Sequence, residues 1–299
     1  MNILITGGSG FIGSHIIDKL IEQGHKVRNF DFLPPHRKDV EFFHGDLLDI
    51  AALIDAMKDI NVVYHLAAVS NVDIAKKNPI LCVRVNSEGT VHVLEAARRT
   101  NVKRVIYAST VWVYENCKDT LCTEESLLGS PSHIYTSTKL KGEFLCQNYY
   151  SMYGIPYTIL RYGIPYGPRG RKGTVIPIFV EKALKGEPLT IQGTGEQYRY
   201  FLHVEDLAEG NVLALKDIAA NKIYNLEGKE KVTIKSIAEN IQKVLENVRI
   251  EFVEARKADF PGRVASAEKA KTELGWEPKI RFEDGLRNYI EWFRSQALL

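Results

Sequence analysis

Asn2-Ile-Leu-Ile-Thr-Gly-Gly-Ser-Gly-Phe-Ile-Gly13 is the stretch on which the reading of this chain turns. A short β-forming run stops at clustered glycines, and an amphipathic segment begins at Phe11. Gly8, Gly10 and Gly13 satisfy G-x-G-x-x-G, and Gly7, Gly10 and Gly13 satisfy the related G-x-x-G-x-x-G, with Phe11 and Ile12 inside the motif. Glycine is needed where the backbone turns tightly and where no Cβ can stand between it and a pyrophosphate. The helix that follows offers its first N–H groups and its positive dipole end to phosphates. In strand–loop–helix context the motif reads as a dinucleotide site. Asp31 closes the second apolar run, where a carboxylate accepts hydrogen bonds from an adenosine ribose and repels a 2′-phosphate. NAD is therefore expected over NADP, although Arg37 and Lys38 follow closely.

Working outward, residues 2–6, 26–30, 41–43, 62–66, 104–108 and 157–160 read as strands. Residues 11–23, 50–57, 83–99 and 135–153 carry apolar positions at three- and four-residue spacing and read as helices. Alternating β and α implies a doubly wound α/β fold of the Rossmann type, its parallel sheet covered on both faces. After Arg161 the pattern breaks into a loop rich in proline and glycine, and a smaller α/β lobe is expected. Helices are read at 178–184, 205–214, 233–245 and 282–293, and a short strand at 189–191. The expected division is a cofactor domain over 1–165, with a returning segment near 199–222, and a substrate lobe over most of 166–299.

Bulk properties narrow the partners. Of 299 residues, 45% are apolar and 25% charged, and the formal net charge is +2. Neither nucleic acid nor an anionic membrane is implied by that balance. No apolar run is long enough to span a bilayer and no signal-peptide pattern opens the chain, so a cytoplasmic protein is expected. Cys82, Cys117, Cys122 and Cys146 show no metal-ligand spacing and read as reduced structural cysteines, with no metal site expected.

Ser132-His-Ile-Tyr-Thr-Ser-Thr-Lys139 sets Tyr135 and Lys139 four residues apart, on one face of a helix. Tyrosine ionises near 10 in isolation, and a nearby ammonium favours its phenolate. A phenolate there can take a proton from a substrate hydroxyl while hydride leaves the same carbon. Without the glycine loop the pair would read as a surface tyrosine beside a solvated lysine.

Several motifs occur together and in order: the glycine loop, Asp31, Tyr64-His-Leu-Ala-Ala68, Asn86, Tyr107-Ala-Ser-Thr110 with Val113-Tyr114, and Tyr135 with Lys139. Leu160-Arg161, Tyr166-Gly-Pro168, Gly186-Glu-Pro-Leu189, Arg199-Tyr-Phe-Leu-His-Val-Glu-Asp206 and Leu274-Gly-Trp276 extend the series. In this the chain resembles the extended short-chain dehydrogenase/reductases, and within them the NAD-dependent epimerase/dehydratase branch acting on nucleotide sugars. The resemblance implies that Thr110, four positions before Tyr114, hydrogen-bonds the reacting sugar oxygen, with Ser109 able to share that role. It implies Asp46 and Leu47 as adenine contacts, Leu66, Ala67 and Ala68 along the dinucleotide groove, and Asn86 beside it. Lys139 is implied to touch the cofactor ribose. Arg199 is implied to grip the nucleotide diphosphate, with Arg263 a second candidate. A homodimer through the helices at 83–99 and 135–153 is also implied.

Three departures from the family pattern bear on the reaction. The 4,6-dehydratases that the chain resembles follow their threonine with Asp-Glu, whereas Val111 and Trp112 stand here. The usual Leu-Arg-x-x-Asn-x-Tyr-Gly-Pro reads Leu160-Arg-Tyr-Gly-Ile-Pro-Tyr-Gly-Pro168, with Ile164 in the asparagine's place. Arg169, Arg171 or Lys172 could compensate there, or simply solvate the loop. Glu115 replaces the glycine that usually follows Val-Tyr and is assigned no catalytic role. The expectation is a UDP-sugar 4-epimerase working through a 4-keto intermediate. Decarboxylation, dehydration or reduction of that intermediate remains an alternative, and a non-catalytic NAD-binding regulator a remoter one.

Overall fold

The computed structural model describes residues 1–254 and 264–297 and resolves two compact units. The first comprises Met1–Tyr162, Ala208–Leu226 and Ala265–Glu277; the second comprises Gly163–Leu207, Glu227–Val264 and Pro278–Leu299. The return to the first unit is made by 208–226 and 265–277, so the segment expected near 199–222 is divided: 208–222 belong to the first unit and 199–207 to the second. Residues 199–207 pair within the second unit instead, through the strand Tyr198–His203.

The first unit is built on seven parallel strands: β1 (Asn2–Thr6), β2 (Lys26–Asp31), β3 (Glu41–His44), β4 (Val62–His65), β5 (Arg104–Thr110), β6 (Tyr157–Tyr162) and β7 (Lys222–Leu226). Their order across the sheet is β7-β6-β5-β4-β1-β2-β3. Its helices include α1 (Phe11–Glu22), α2 (Ile50–Ala56), α3 (Gly89–Arg99) and α4 (Ile134–Tyr153). This is the doubly wound Rossmann architecture expected from the alternating pattern. β5 and β6 are buried along their whole length, as central parallel strands flanked by helices must be. The chain order reverses between β1 and β4, and ligands of such sheets bind at the carboxyl ends beside that switch. Thr6 pairs with both His65 and Phe30, so the ends of β1, β2 and β4 meet at one level.

Two expectations needed correction. The stretch read as one helix over 83–99 is three pieces: Pro79–Val83, a wide π-type turn Arg84–Glu88, and α3. The extra residue in that turn accompanies Asn86 turning inward to tertiary partners, a common origin of π-bulges at functional sites. Before it, Asn71 and Asn78 cap two short helical segments, with Pro79 at the start of the second. The last strand, Lys222–Leu226, had no sequence reading, yet it pairs with β6 and forms an edge of the sheet.

The second unit holds a three-stranded sheet, with Tyr198–His203 between Ile164–Tyr166 and Lys231–Thr233. A parallel pair, Leu189–Gln192 with Ile250–Val253, lies beside the helices Val175–Leu184 and Ile234–Val244. Thr233 and Ser236 close a capping box at the latter's start. Phe179, Val180, Ile191, Ile237, Leu286 and Ile290 form its core. Among the described residues no helix is long and apolar enough to cross a membrane, and no group of three or more His, Cys, Asp or Glu could hold a metal. All four cysteines are buried free thiols.

Candidate active site

The glycine loop takes its shape from backbone packing. Gly7 adopts a φ of 76°, and a Cβ there would lie 2.7 Å from Ala67 N. A Cβ on Gly13 would lie 2.3 Å from Gly7 O, inside contact distance of main chain that cannot move aside. Gly10 N donates to Gly7 O at 3.2 Å, and Gly10 caps α1 with no side-chain hydrogen bond, as an anion-binding helix start requires. Asp31 closes the loop from β2: Oδ2 accepts from Ser9 N at 3.0 Å and Oδ1 from Leu33 N at 3.1 Å. Arg37 is held by Asp39 on two hydrogen bonds, 2.8 and 2.7 Å, and by Asp18 at 3.3 Å. Asp46 Oδ1 accepts from Leu48 N at 2.9 Å, and buried Leu47 offers its carbonyl to His92 at 3.0 Å.

Beneath the loop runs a chain of polar groups that the sequence reading did not identify. Ala67 N–H donates to Thr6 Oγ1 at 3.3 Å, and Thr6 Oγ1 lies 2.8 Å from His65 Nδ1. His65 Nε2 lies 3.0 Å from Thr90 Oγ1, which donates to Asn86 O at 2.6 Å. Because Thr90 spends its proton on Asn86, His65 must donate through Nε2 and accept at Nδ1, which fixes one neutral tautomer. Burial, with the charge of Lys139 secondary, pushes His65 down to about 3, consistent with a neutral ring. Asn86 Oδ1 accepts from Val69 N at 2.7 Å, and its Nδ2 donates to Val69 O and Thr138 Oγ1, both at 3.0 Å. Thr138 Oγ1 in turn donates to Tyr135 O at 2.7 Å. The ends of β1 and β4 are thereby tied to the first turns of α4. The visible signal was His65 inside Tyr64-His-Leu-Ala-Ala68; Thr90 and Thr138 gave none.

α4 carries Tyr135 half-buried in its first turn and Lys139 one turn on. Lys139 is 4% exposed; its Nζ donates to Ala108 O at 2.8 Å and lies 5.0 Å above the Tyr107 ring. Burial lowers it to about 8. Gly142 explains how closely helix and strand approach, since a Cβ there would meet the Tyr107 hydroxyl at 2.1 Å. Further along α4, Glu143 forms a buried bidentate pair with Arg161 of β6, at 2.9 and 2.7 Å. Burial opposes the Arg161 charge, but the Glu143 carboxylate outweighs it and holds the guanidinium above its ordinary range. Arg161 Nη1 also donates to Tyr114 Oη at 2.6 Å.

Ser109 and Thr110 are adjacent on β5 and alternate faces. Ser109 donates its hydroxyl to Glu143 Oε1, which commits its proton to the buried ion pair. Thr110 ends β5, and its Oγ1 accepts from Trp112 N at 3.2 Å. Val111 and Trp112 follow in a 3-10 turn.

In the second unit Arg199 is half-buried, with Nη1 donating to Tyr198 O at 2.7 Å. Ile164 packs against that unit's apolar core, which accounts for a hydrocarbon at this position. Arg263 lies outside the described residues.

A Rossmann sheet with a glycine loop at its switch point, an aspartate at the end of the second strand and a Tyr-x-x-x-Lys helix defines a short-chain dehydrogenase/reductase type of nucleotide-cofactor enzyme. A model of the NAD-dependent epimerase/dehydratase family matches residues 3–226, and the chain belongs to that family. It is similar to the UDP-N-acetyl-alpha-D-glucosaminuronate decarboxylase of Bacillus cytotoxicus, 33% identical over 98% of this chain and 97% of that protein. It also resembles the crystal structure of UDP-glucose 4-epimerase with UDP-glucose from Thermotoga maritima, with TM-score 0.92 and 32% identity, covering 99% of this chain and 100% of that one. UDP-glucuronic acid 4-epimerase from Bacillus cereus, solved with UDP-glucuronic acid and NAD, matches with TM-score 0.90 and 32% identity, covering 99% and 100%.

Proposed function

We propose that this protein is a nucleotide-sugar 4-epimerase acting on a UDP-sugar. The observation that carries the choice of reaction is the pair Val111 and Trp112 after Thr110, side chains that cannot act as the acid and base for eliminating water. The similarity to solved UDP-sugar 4-epimerases supports it.

The residues fit the cofactor. Gly7, Gly10, Phe11, Ile12 and Gly13 would form the pyrophosphate cradle, Asp31 would hold the adenosine ribose, and Asp46 and Leu47 the adenine. Leu66, Ala67, Ala68 and Asn86 would line the dinucleotide groove, and Lys139 would hold the nicotinamide ribose. Arg37, committed to Asp39 and Asp18, leaves the negative charge of Asp31 to discriminate against a 2′-phosphate. NAD held by these residues would supply the hydride acceptor for oxidation at sugar C4 and the donor for its reversal. Tyr135 takes the C4 hydroxyl proton, assisted by the ammonium of Lys139, and gives it back after the 4-keto sugar has turned over. Thr110 donates a hydrogen bond to the C4 oxygen in both directions, keeping that atom beside Tyr135. Arg199 binds the diphosphate, and Arg263 is a second candidate for that contact.

A second reading, diversion of the keto intermediate to decarboxylation, is favoured by the similarity to the Bacillus cytotoxicus decarboxylase. Incubation with a panel of UDP-, dTDP- and GDP-sugars decides. Epimerisation yields a C4 epimer of unchanged mass with no net NAD consumption, whereas decarboxylation yields a product lighter by one CO2. No turnover of any sugar sinks both.

We further infer a cytoplasmic homodimer. Val83, at the start of one segment expected to pair, and Phe144 and Met152 of α4, the other, are exposed apolar side chains, as is Ile80 just before the first segment. Light scattering during size-exclusion chromatography tests the assembly.

A further inference from the structure

The turn after β5 makes contacts that the proposed chemistry does not use. Thr110 caps this turn, and Tyr114 anchors it, its hydroxyl 2.6 Å from Arg161 Nη1 and donating to Asn225 Oδ1 at 2.9 Å. The next two residues reach the other way. Glu115 is 7% exposed; its Oε1 accepts from Ser132 N and its Oε2 lies 3.0 Å from His133 Nδ1. Asn116 Nδ2 donates to Ser130 O at 2.7 Å and to Ser132 Oγ at 3.0 Å. The two backbones also touch, since a Cβ on Gly129 would stand 2.4 Å from Asn116 O.

All of these contacts converge on the residues that lead into α4. That helix begins with His133 as its N-cap, without a side-chain capping bond, and has no acid in its first turn. Glu115 supplies from another element the negative charge that a helix start favours. The Trp112 ring meets the His133 ring edge-on, with centroids 6.0 Å apart. Two residues beyond His133 is Tyr135. A single clasp therefore joins the turn bearing Thr110 to the helix turn bearing Tyr135, at a position where glycine was expected from the family resemblance and could make no such contact.

We propose that Glu115 and His133 are positioning residues that hold the first turn of α4, and with it the Tyr135 hydroxyl, in register with Thr110. The activity part of this proposal rests on the epimerase reading above; the structural part does not. Misplacing a catalytic group by about 1 Å can cost a hundredfold in rate without loss of substrate binding.

The test compares wild type with Glu115→Gly, Glu115→Gln and His133→Ala, measuring kcat and KM for the turned-over sugar and amide hydrogen exchange over residues 132–139. Glu115→Gly should lower kcat about tenfold or more while KM stays within about threefold, and exchange in that segment should rise. Glu115→Gln still accepts from Ser132 N and should recover kcat to within about threefold of wild type. His133→Ala should fall between them. A Glu115→Gly enzyme with kcat within about twofold of wild type, or with exchange unchanged, overturns the proposal. If that variant does not fold, His133→Ala decides in its place, and unchanged kcat and exchange there overturn it equally. If the wild type turns over no nucleotide sugar, the epimerase reading fails by itself and the exchange measurement alone decides the clasp.

Discussion

The glycine loop and helix α4 serve one site but are held in place by different means. The loop is held largely by main chain: Gly7, Gly10 and Gly13 touch backbone atoms, while Asp31, Ser9, Asn29 and His36 add side-chain contacts around it. α4 is held by buried polar side chains drawn from other elements, among them Arg161 of β6, Ser109 of β5 and Asn86 of the π-type turn. A backbone-built feature fails when any atom is added to it. A side-chain-built feature fails when charge or hydrogen bonding is unbalanced, and it can be retuned by single substitutions. Under the proposed function the contrast separates binding from chemistry: the cradle would hold the cofactor, while α4 would set the proton-transfer geometry.

The strongest way to sharpen that contrast is Tyr135→Phe. General acid–base catalysis contributes about 10²–10⁴-fold, so turnover should fall by that factor while the NAD dissociation constant, measured by calorimetry, stays put. Undiminished turnover would remove Tyr135 from the proton path. Next comes Glu143→Gln, which leaves Arg161 buried with an unbalanced charge. Stability measured by urea unfolding should drop by about 3–5 kcal/mol. Replacing both Glu143 and Arg161 by methionine should cost less than the single change, and an equal or larger loss would contradict the unbalanced-charge explanation.

Gly13→Ala attacks the other region. Its Cβ would lie 2.3 Å from Gly7 O, so overpacking should cost about 1–3 kcal/mol and NAD binding should be lost with the loop's shape. Retained NAD affinity would show that the cradle tolerates more than its packing implies.

The smallest expected effect is electrostatic. Burial lowers Lys139 from 10.5 to about 8. Between those values the unfolded chain binds the extra proton, so the stability of the cofactor-free protein rises with pH through this window. The contribution is fully present above about 10.5 and lost as pH falls to about 8. It should amount to on the order of 1 kcal/mol between pH 8 and 9 and vanish in Lys139→Met, as read by thermal unfolding at both pH values.

What could be read from the residues follows the same division. The glycine loop, Asp31 and the β/α alternation are local, because turn chemistry and hydrophobic period are written within a few residues. Tyr135 and Lys139 were legible because helix geometry sets their spacing. Ser109, by contrast, was given a possible share in substrate contact, and its bond to Glu143, a residue thirty-four positions away, left no local signal. Asn86 was expected beside the groove, but nothing local showed the π-type turn that aims it at Val69 and Thr138. Ile164 read as a missing hydrogen bond, while its packing in the second unit gives it an ordinary apolar role. Long-range partners of this kind leave no local periodicity to detect.

The position of β7 has a consequence for how the protein must be made. Residues Lys222–Leu226 lie along the exposed side of β6, with Lys222 beside Thr158, although β6 ends at Tyr162. Glu273 then binds both Lys222, at 2.7 Å, and Tyr224, at 2.6 Å, while Lys216 holds Leu274 O at 2.6 Å. During synthesis, the outer edge of β6 stays uncovered until residue 226 has left the ribosome, and its lock arrives only with the segment ending at Glu277. An open strand edge is a template for aggregation. A gene fragment cut near residue 165 would therefore yield a sheet prone to self-association, and expression of the cofactor domain alone calls for a design that carries 208–226 and 265–277 along with it.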